Sequence, residues 1–296
     1  MLEHLDSSGG APDRVIVLGA RGFVGAAAAD RLEADGIQVL RLTRGEIDLF
    51  ADDADTALSS EFRPTDTVVM VSAIAPAKNS TMMLDNIIMM KSVCQALREK
   101  PVAHVIYISS DAVYADSSSP LTEASCMAPA SFHGMMHAVR EFMIADAAGD
   151  TPLAVLRPSL LYGAKDPHNG YGPNRFRRLA QAGEEIVLFG KGEERRDHVF
   201  IDDLAEIVRL VVRHKSRGAL NVATGEVASF REIAEMVTSL FNFPPAIKET
   251  LRVGPMPHDG YRPFDISSCH AAFSGFRYTP LLEGLRSVHL SANKTS

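Results

Sequence analysis

Arg14-Val-Ile-Val-Leu18-Gly19-Ala-Arg-Gly22-Phe-Val-Gly25 decides the fold. The apolar residues up to Leu18 read as a short buried strand, the glycines as a turn, and the small residues Ala26–Ala34 as a helix that stops near Gly36. Glycines at such a junction permit a tight turn, bring backbone N–H groups against a pyrophosphate and let helix and strand pack closely. The spacing Gly19-x-x-Gly22-x-x-Gly25 is one residue longer than the basic dinucleotide-binding fingerprint.

Outward from this turn, strand-like runs follow at Ile37–Leu42, Thr67–Val71, His104–Ser109 and Leu153–Leu156, with helical stretches at Thr81–Glu99 and Phe132–Ala148. Alternating strands and helices predict an α/β fold, a doubly wound parallel Rossmann sheet over residues 13–157, preceded by a flexible tail at 1–12. Past Arg157-Pro158 the rhythm changes. A Gly/Pro/Asn-rich stretch from Gly163 to Asn174 leads to a helix at Arg175–Gln181, a strand at Ile186–Phe189 and helices at Asp202–Arg213 and Phe230–Phe241. Residues 158–296 are expected to form mainly a smaller α/β substrate lobe over the carboxyl ends of the strands, with some segments returning to the Rossmann sheet.

The 296 residues, 46% hydrophobic and 23% charged, suffice for a large core and exclude a disordered or fibrous chain. Apolar runs end well short of the roughly 18 residues that cross a bilayer, and Met1–Gly10 lacks the basic start and apolar middle of a signal peptide. A cytoplasmic protein with no membrane contact is expected. Cys94, Cys126 and Cys269 are too few and too far apart for a disulfide framework or a Cys-x-x-Cys pair. A net charge of −7 with only short basic clusters argues against nucleic acid as a partner.

At the end of the second strand a carboxylate would pair with the ribose 2′-hydroxyl of NAD, but the chain reads Leu40-Arg-Leu-Thr-Arg44 before Glu46 and Asp48. Thr43 and Arg44 suit a 2′-phosphate better, so NADP is the expected cofactor and NAD the fallback.

Four segments together carry a resemblance: the glycine turn, Ile108-Ser-Ser-Asp-Ala-Val-Tyr114, Leu156-Arg-Pro-Ser-Leu-Leu-Tyr-Gly163 and Arg196-Asp-His-Val-Phe-Ile-Asp-Asp203. The chain resembles, over about residues 13–289, the extended short-chain dehydrogenase/reductase family, in particular its nucleotide-sugar epimerases, dehydratases and reductases. The resemblance implies a Rossmann lobe holding a nicotinamide cofactor, a second lobe holding a nucleotide sugar, and a homodimer built from two long helices of each subunit. Cofactor contacts would then fall to Gly19, Arg21, Gly22, Phe23, Val24, Gly25, Ala73 and Asn86, with Asp48 and Leu49 beside the adenine. The segment from Leu42 to Leu49 looks most like the NADP-using 4-keto-sugar reductases and epimerase–reductases. Ser110 matches the family's catalytic Ser/Thr, whose hydroxyl can donate to a ketone and accept from an alcohol. Asp111 matches the first member of the acidic pair in the sugar dehydratases, but Ala112 replaces the second, which disfavours dehydration. Arg196 and Arg262 match arginines that bind the diphosphate of the sugar nucleotide.

One departure stands out. Where the family carries Tyr and Lys four residues apart on its catalytic helix, this chain has His133 and His137. The i, i+4 spacing keeps both on one helix face, and an imidazole with a pKa near ~6.5 can move a proton at neutral pH without a helper cation. Three readings follow. His133 acts as acid/base while His137 bonds the nicotinamide ribose, or the cofactor site persists without redox turnover, as a sensor or scaffold or as an enzyme whose chemistry needs no hydride, or the two rings bind a metal. The pair lacks the Glu of His-Glu-x-x-His and an obvious third ligand, so no metal is expected. The first reading makes the chain a nucleotide-sugar epimerase or 4-ketoreductase, with the NADP-binding sensor as its alternative.

Overall fold

The computed structural model describes residues 2–293. Its first half runs β1 (Glu3–His4), β2 (Val15–Leu18), α1 (Phe23–Ala34), β3 (Val39–Leu42), α2 (Ala54–Glu61), β4 (Thr67–Met70) and α3 (Ser80–Glu99). Then come β5 (His104–Ile108), α4 (Phe132–Ala148), β6 (Leu153–Pro158) and β7 (Leu160–Tyr162). The second half holds α5 (Pro173–Ala182), β8 (Ile186–Phe189), β9 (Arg195–Phe200), α6 (Ile201–Arg213), β10 (Ser216–Val222) and β11 (Val227–Ser229). It closes with α7 (Phe230–Thr238), β12 (Ile247–Thr250), β13 (Tyr261–Arg262), α8 (Ser267–Ala272) and α9 (Leu281–Asn293).

The main sheet has the order β1-β10-β6-β5-β4-β2-β3, parallel throughout except for β1 on β10. Alternation along each strand feeds two cores. Val15 and Val17 pack with α1 and α6 on one face, while Ile16 and Leu18 join α3 and α4 on the other. The doubly wound sheet is the one that the strand–helix alternation predicts. Its order reverses at β2, flanked by β3 on one side and β4 on the other, and that reversal opens a crevice at the carboxyl ends.

The expected tail is partly tied down. Residues 3–4 form the antiparallel edge strand, Leu5 and Asp6 donate backbone bonds to the His214 carbonyl, and the His4 ring stacks on His214. Two residues are too short to show a period-2 pattern, which is why the sequence did not reveal this strand. Residues 1 and 294–296 of the expected terminal segments lie outside the described residues.

Late segments return to the Rossmann side. Strand β10 inserts beside β6, and α6 lies along α1, tied to it by Arg31–Glu206 at 2.6 Å and Arg213–Asp35 at 2.5 Å. The remaining smaller lobe is built on β9, which pairs with β7, β11 and β13, and on the parallel pair β8–β12. Buried Asp197 fastens the lobes together, accepting from Ser159 Oγ (2.7 Å), Thr224 Oγ1 (2.8 Å) and the Gly225 N–H (2.9 Å). Among the described residues no helix is long and apolar enough to cross a membrane.

Candidate active site

A cleft of about 820 Å³ opens at the carboxyl ends of β2 to β5, under the smaller lobe. Its floor is the glycine turn. Gly19 has φ +91°, and a Cβ there would stand 2.8 Å from the Ser72 backbone nitrogen. At Gly25 a Cβ would stand 2.2 Å from the Gly19 carbonyl oxygen, so only glycine lets α1 press on the turn that precedes it. Gly22 is the N-cap of α1, with no side-chain cap and no acid in the first helical turn. The helix therefore offers its uncapped N–H groups and positive dipole end to the cleft, which is what a pyrophosphate needs. Gly19, Arg21, Gly22, Phe23 and Val24 line the cleft; Gly25 serves by packing behind them.

At the end of β3, Thr43, Arg44, Asp48 and Leu49 form the next wall. The Arg44 side chain is 77% exposed and pairs with Asp48 at 3.1 Å. Glu46 takes the Thr43 N–H (2.9 Å) and hydroxyl. Ala73 lines the cleft after β4. Asn86 is fully buried and works one step back, accepting from the Ile74 N–H (2.9 Å) and donating to the Ile74 and Met82 carbonyls. It braces the loop after β4 that lines the cleft.

Ser110 follows β5 and caps the turn 111–113, its hydroxyl accepting from the Ala112 N–H at 3.1 Å. His133 and His137 on α4 stand beside it, the two rings edge to face with centroids 4.7 Å apart, and all three residues line the cleft. Gly134 makes this approach possible, because a Cβ there would lie 2.0 Å from the Ala112 carbonyl oxygen. Burial holds the His133 imidazole below its ordinary pKa, with Asp111 opposing and His168 reinforcing the shift. Burial, then His133 and Arg140, hold His137 well below the ordinary value, so both rings are neutral near pH 7.

On the opposite wall Arg196 reaches the cleft with one nitrogen 3.2 Å from Glu194. Arg262 does not match the expectation of a diphosphate-binding fork. It is buried off the cleft wall, donating to Asp111 Oδ2 (2.8 Å), the Asp111 carbonyl (2.7 Å) and Asp116 (3.2 Å). Its fork is spent on holding the turn that carries Ser110 and Asp111.

The structure adds cleft residues that the sequence did not single out. His168, His198 and His258 join His133 and His137, so five of the ten histidines face one cleft. Among the described residues no three metal-binding side chains converge. His198 is pushed down to about 3 by burial and Arg196, while His258 contacts Asp116. These histidines come from three loops and strands far apart in the chain, and no local spacing announces their meeting.

Residues 15–223 match the family described as NAD dependent epimerase/dehydratase. Putative GDP-L-fucose synthase 2 of Oryza sativa is 28% identical over 263 residues, 78% of this chain and 73% of its own length. The dTDP-4-dehydro-6-deoxy-D-allose reductase of Streptomyces bikiniensis is 26% identical over 276 residues, 79% of this chain and 83% of its own. The crystal structure of UDP-glucose 4-epimerase from Thermotoga maritima with UDP-glucose superposes with a TM-score of 0.83 at 19% identity, covering 95% of this chain and 99% of that one. With a glycine turn, a doubly wound sheet and a family match over most of its length, the chain belongs to the NAD-dependent epimerase/dehydratase family, an extended short-chain dehydrogenase/reductase.

Proposed function

We propose that this protein is an NADP(H)-dependent nucleotide-sugar 4-ketoreductase or epimerase in which His133 is the acid/base and His137 bonds the nicotinamide ribose. The observation that carries the reading is the convergence of Ser110 and the His133/His137 face of α4 on one cleft with the uncapped α1 N-terminus. The bound dinucleotide would supply or take up the hydride. The chain's own part is to orient the sugar and move a proton. Ser110 Oγ would bond the sugar oxygen, His133 would take that oxygen's proton as the neutral imidazole on oxidation and return it as the imidazolium on reduction, and Arg196 would take the diphosphate. The names of the Oryza and Streptomyces relatives, a GDP-sugar synthase and a dTDP-4-keto-sugar reductase, support the substrate class.

Thr43 and Arg44 at the cleft wall favour NADP, since the exposed Arg44 has a half-buried Asp48 as its ion-pair partner and the Phe50 ring beneath its guanidinium, and can turn to a 2′-phosphate. A homodimer is part of the proposal. Leu84 and Ile88 on α3 and Met135, Val139 and Phe142 on α4 are exposed at helical spacing on adjacent helices, with Leu84 58% and Phe142 71% exposed. A cytoplasmic location agrees with three free thiols.

The test mixes the purified protein with NADPH or NADH and a panel of 4-keto sugar nucleotides and follows nicotinamide absorbance. Oxidation of NADPH in preference to NADH is expected. Tight NADPH binding with no oxidation by any sugar would instead establish the sensor or scaffold.

A further inference from the structure

Behind the two histidines lies a buried group that the reaction does not use directly. Tyr107 projects from β5 to the face covered by α4, is 1% exposed, and its hydroxyl is 2.8 Å from His137 Nδ1. Arg140, three residues beyond His137 on the same helix, is fully buried with its guanidinium carbon 5.4 Å from the centre of the Tyr107 ring. It has no carboxylate partner among the described residues. Its two terminal nitrogens are held by the Ser72 carbonyl (2.6 Å), Asn86 Oδ1 (3.3 Å) and Met136 Sδ (3.6 Å), while its Nε has no partner among the described residues.

From this geometry we infer that Tyr107, with Arg140 against its ring, is a positioning residue that fixes His137 as the neutral imidazole protonated on Nε2. His137 lines the cleft, and its Nε2–H would serve there as a permanent hydrogen-bond donor to the cofactor's nicotinamide ribose. The ribose half of this inference rests on the function proposed above. The tautomer follows from donor accounting. His137 Nδ1 is the one hydrogen-bond partner of the Tyr107 hydroxyl among the described residues. If Nδ1 carried the proton, the phenol's own hydrogen would be buried with no acceptor, at a cost of about 1–3 kcal/mol. If the phenol donates, its buried proton is used and the single imidazole proton sits on Nε2, the ring nitrogen that has no partner among the described residues and belongs to a residue lining the cleft. Burial raises the phenol's pKa, so it stays an O–H.

Arg140 acts in the same direction twice. A cation over the ring face polarises the phenol and makes its O–H a better donor. The same charge, a turn away on α4, opposes protonation of His137. The fold thus keeps a positive charge beneath this helix face although no lysine stands at position 137, and uses it through the tyrosine.

The experiment takes the full-length protein, labelled with 15N-histidine and free of cofactor, and records long-range 1H–15N spectra at pH 7.5, with His137→Asn identifying the signals. The wild type is expected to show a protonated Nε2 and an unprotonated, hydrogen-bonded Nδ1. Tyr107→Phe is expected to give a mixture of both tautomers and to weaken NADPH binding roughly three- to tenfold in calorimetry, the worth of one hydrogen bond. An Nδ1-protonated His137 in the wild type overturns the inference whether or not the variant folds. So does a Tyr107→Phe spectrum with the tautomer unchanged. Failure of the wild type to bind NADPH would remove the function proposed above and the ribose contact with it, while the spectrum still decides the tautomer.

Discussion

With His133 as the acid/base proposed above, a single side chain sets the pH dependence. In the reductive direction a proton must reach the sugar oxygen, and an imidazole held below its ordinary pKa of about 6.5 is charged only in acid. Reductive turnover is therefore expected to rise as pH falls below about 6.5 and oxidation to run faster above it, as pH–rate profiles in the two directions will show. His133→Ala is expected to slow turnover about 10²–10⁴-fold with cofactor affinity little changed; an unaltered rate would take His133 out of the mechanism. At this scale the sequence was readable where function depends on neighbours in the chain. Gly19, Gly22 and Gly25 announced the turn because backbone sterics act locally. Arg262 was misread because its partner, Asp111, lies 151 residues earlier and no pattern links them.

Helix α4 shows how far one element can be read. Its bounds, Phe132–Ala148, are those expected, since Ser131 accepts from the Gly134 N–H at 3.1 Å and Gly149 leaves the helix at φ +54°. By contrast α2 went unseen, being eight residues of mostly small and polar character with no apolar stripe. The closeness of α4 to the Ser110 turn gives a direct test. Gly134→Ala drives a methyl into the Ala112 carbonyl and is expected to lower stability by about 1–3 kcal/mol and to depress turnover, measured by urea denaturation and steady-state rates. The outer faces of α3 and α4 give another. Phe142→Glu places a charge in the apolar stripe and is expected to convert a dimer to a monomer in sedimentation velocity, without loss of helical circular dichroism. A wild-type monomer would refute the proposed interface.

For the molecule as a whole, acid is the weak side. Burial pushes His104 down to about 4 and His198 to about 3, so both are neutral in the folded chain and titrate near ~6.5 when it unfolds. His104 is enclosed with one nitrogen on the Ser216 carbonyl at 2.7 Å and Lys215 nearby. Their contribution to stability is fully present above pH ~6.5 and is lost as pH falls towards 4 and then 3, at about 1.4 kcal/mol per unit for each ring. Urea midpoints at pH 7.5 and 5 should differ accordingly, and His104→Gln should flatten the slope; equal midpoints would contradict this account. The parallel strands β2 to β6 were legible as apolar runs separated by helices or turns, though β1 was not. Strand β10 was not, because Ser216–Val222 opens with polar residues and a glycine and gains its partners only from a distant part of the chain.

The placement of β10 between β1 and β6 governs how the protein is made. A nascent chain leaving the ribosome carries β6 as a bare edge, and β1 with nothing to pair to, until Val222 has emerged. The main sheet is completed only when its late strand β10 joins its early strands, so its first and last parts are committed to one folding event, and a fragment cut at the apparent lobe boundary is expected to leave β6 as an unpaired edge.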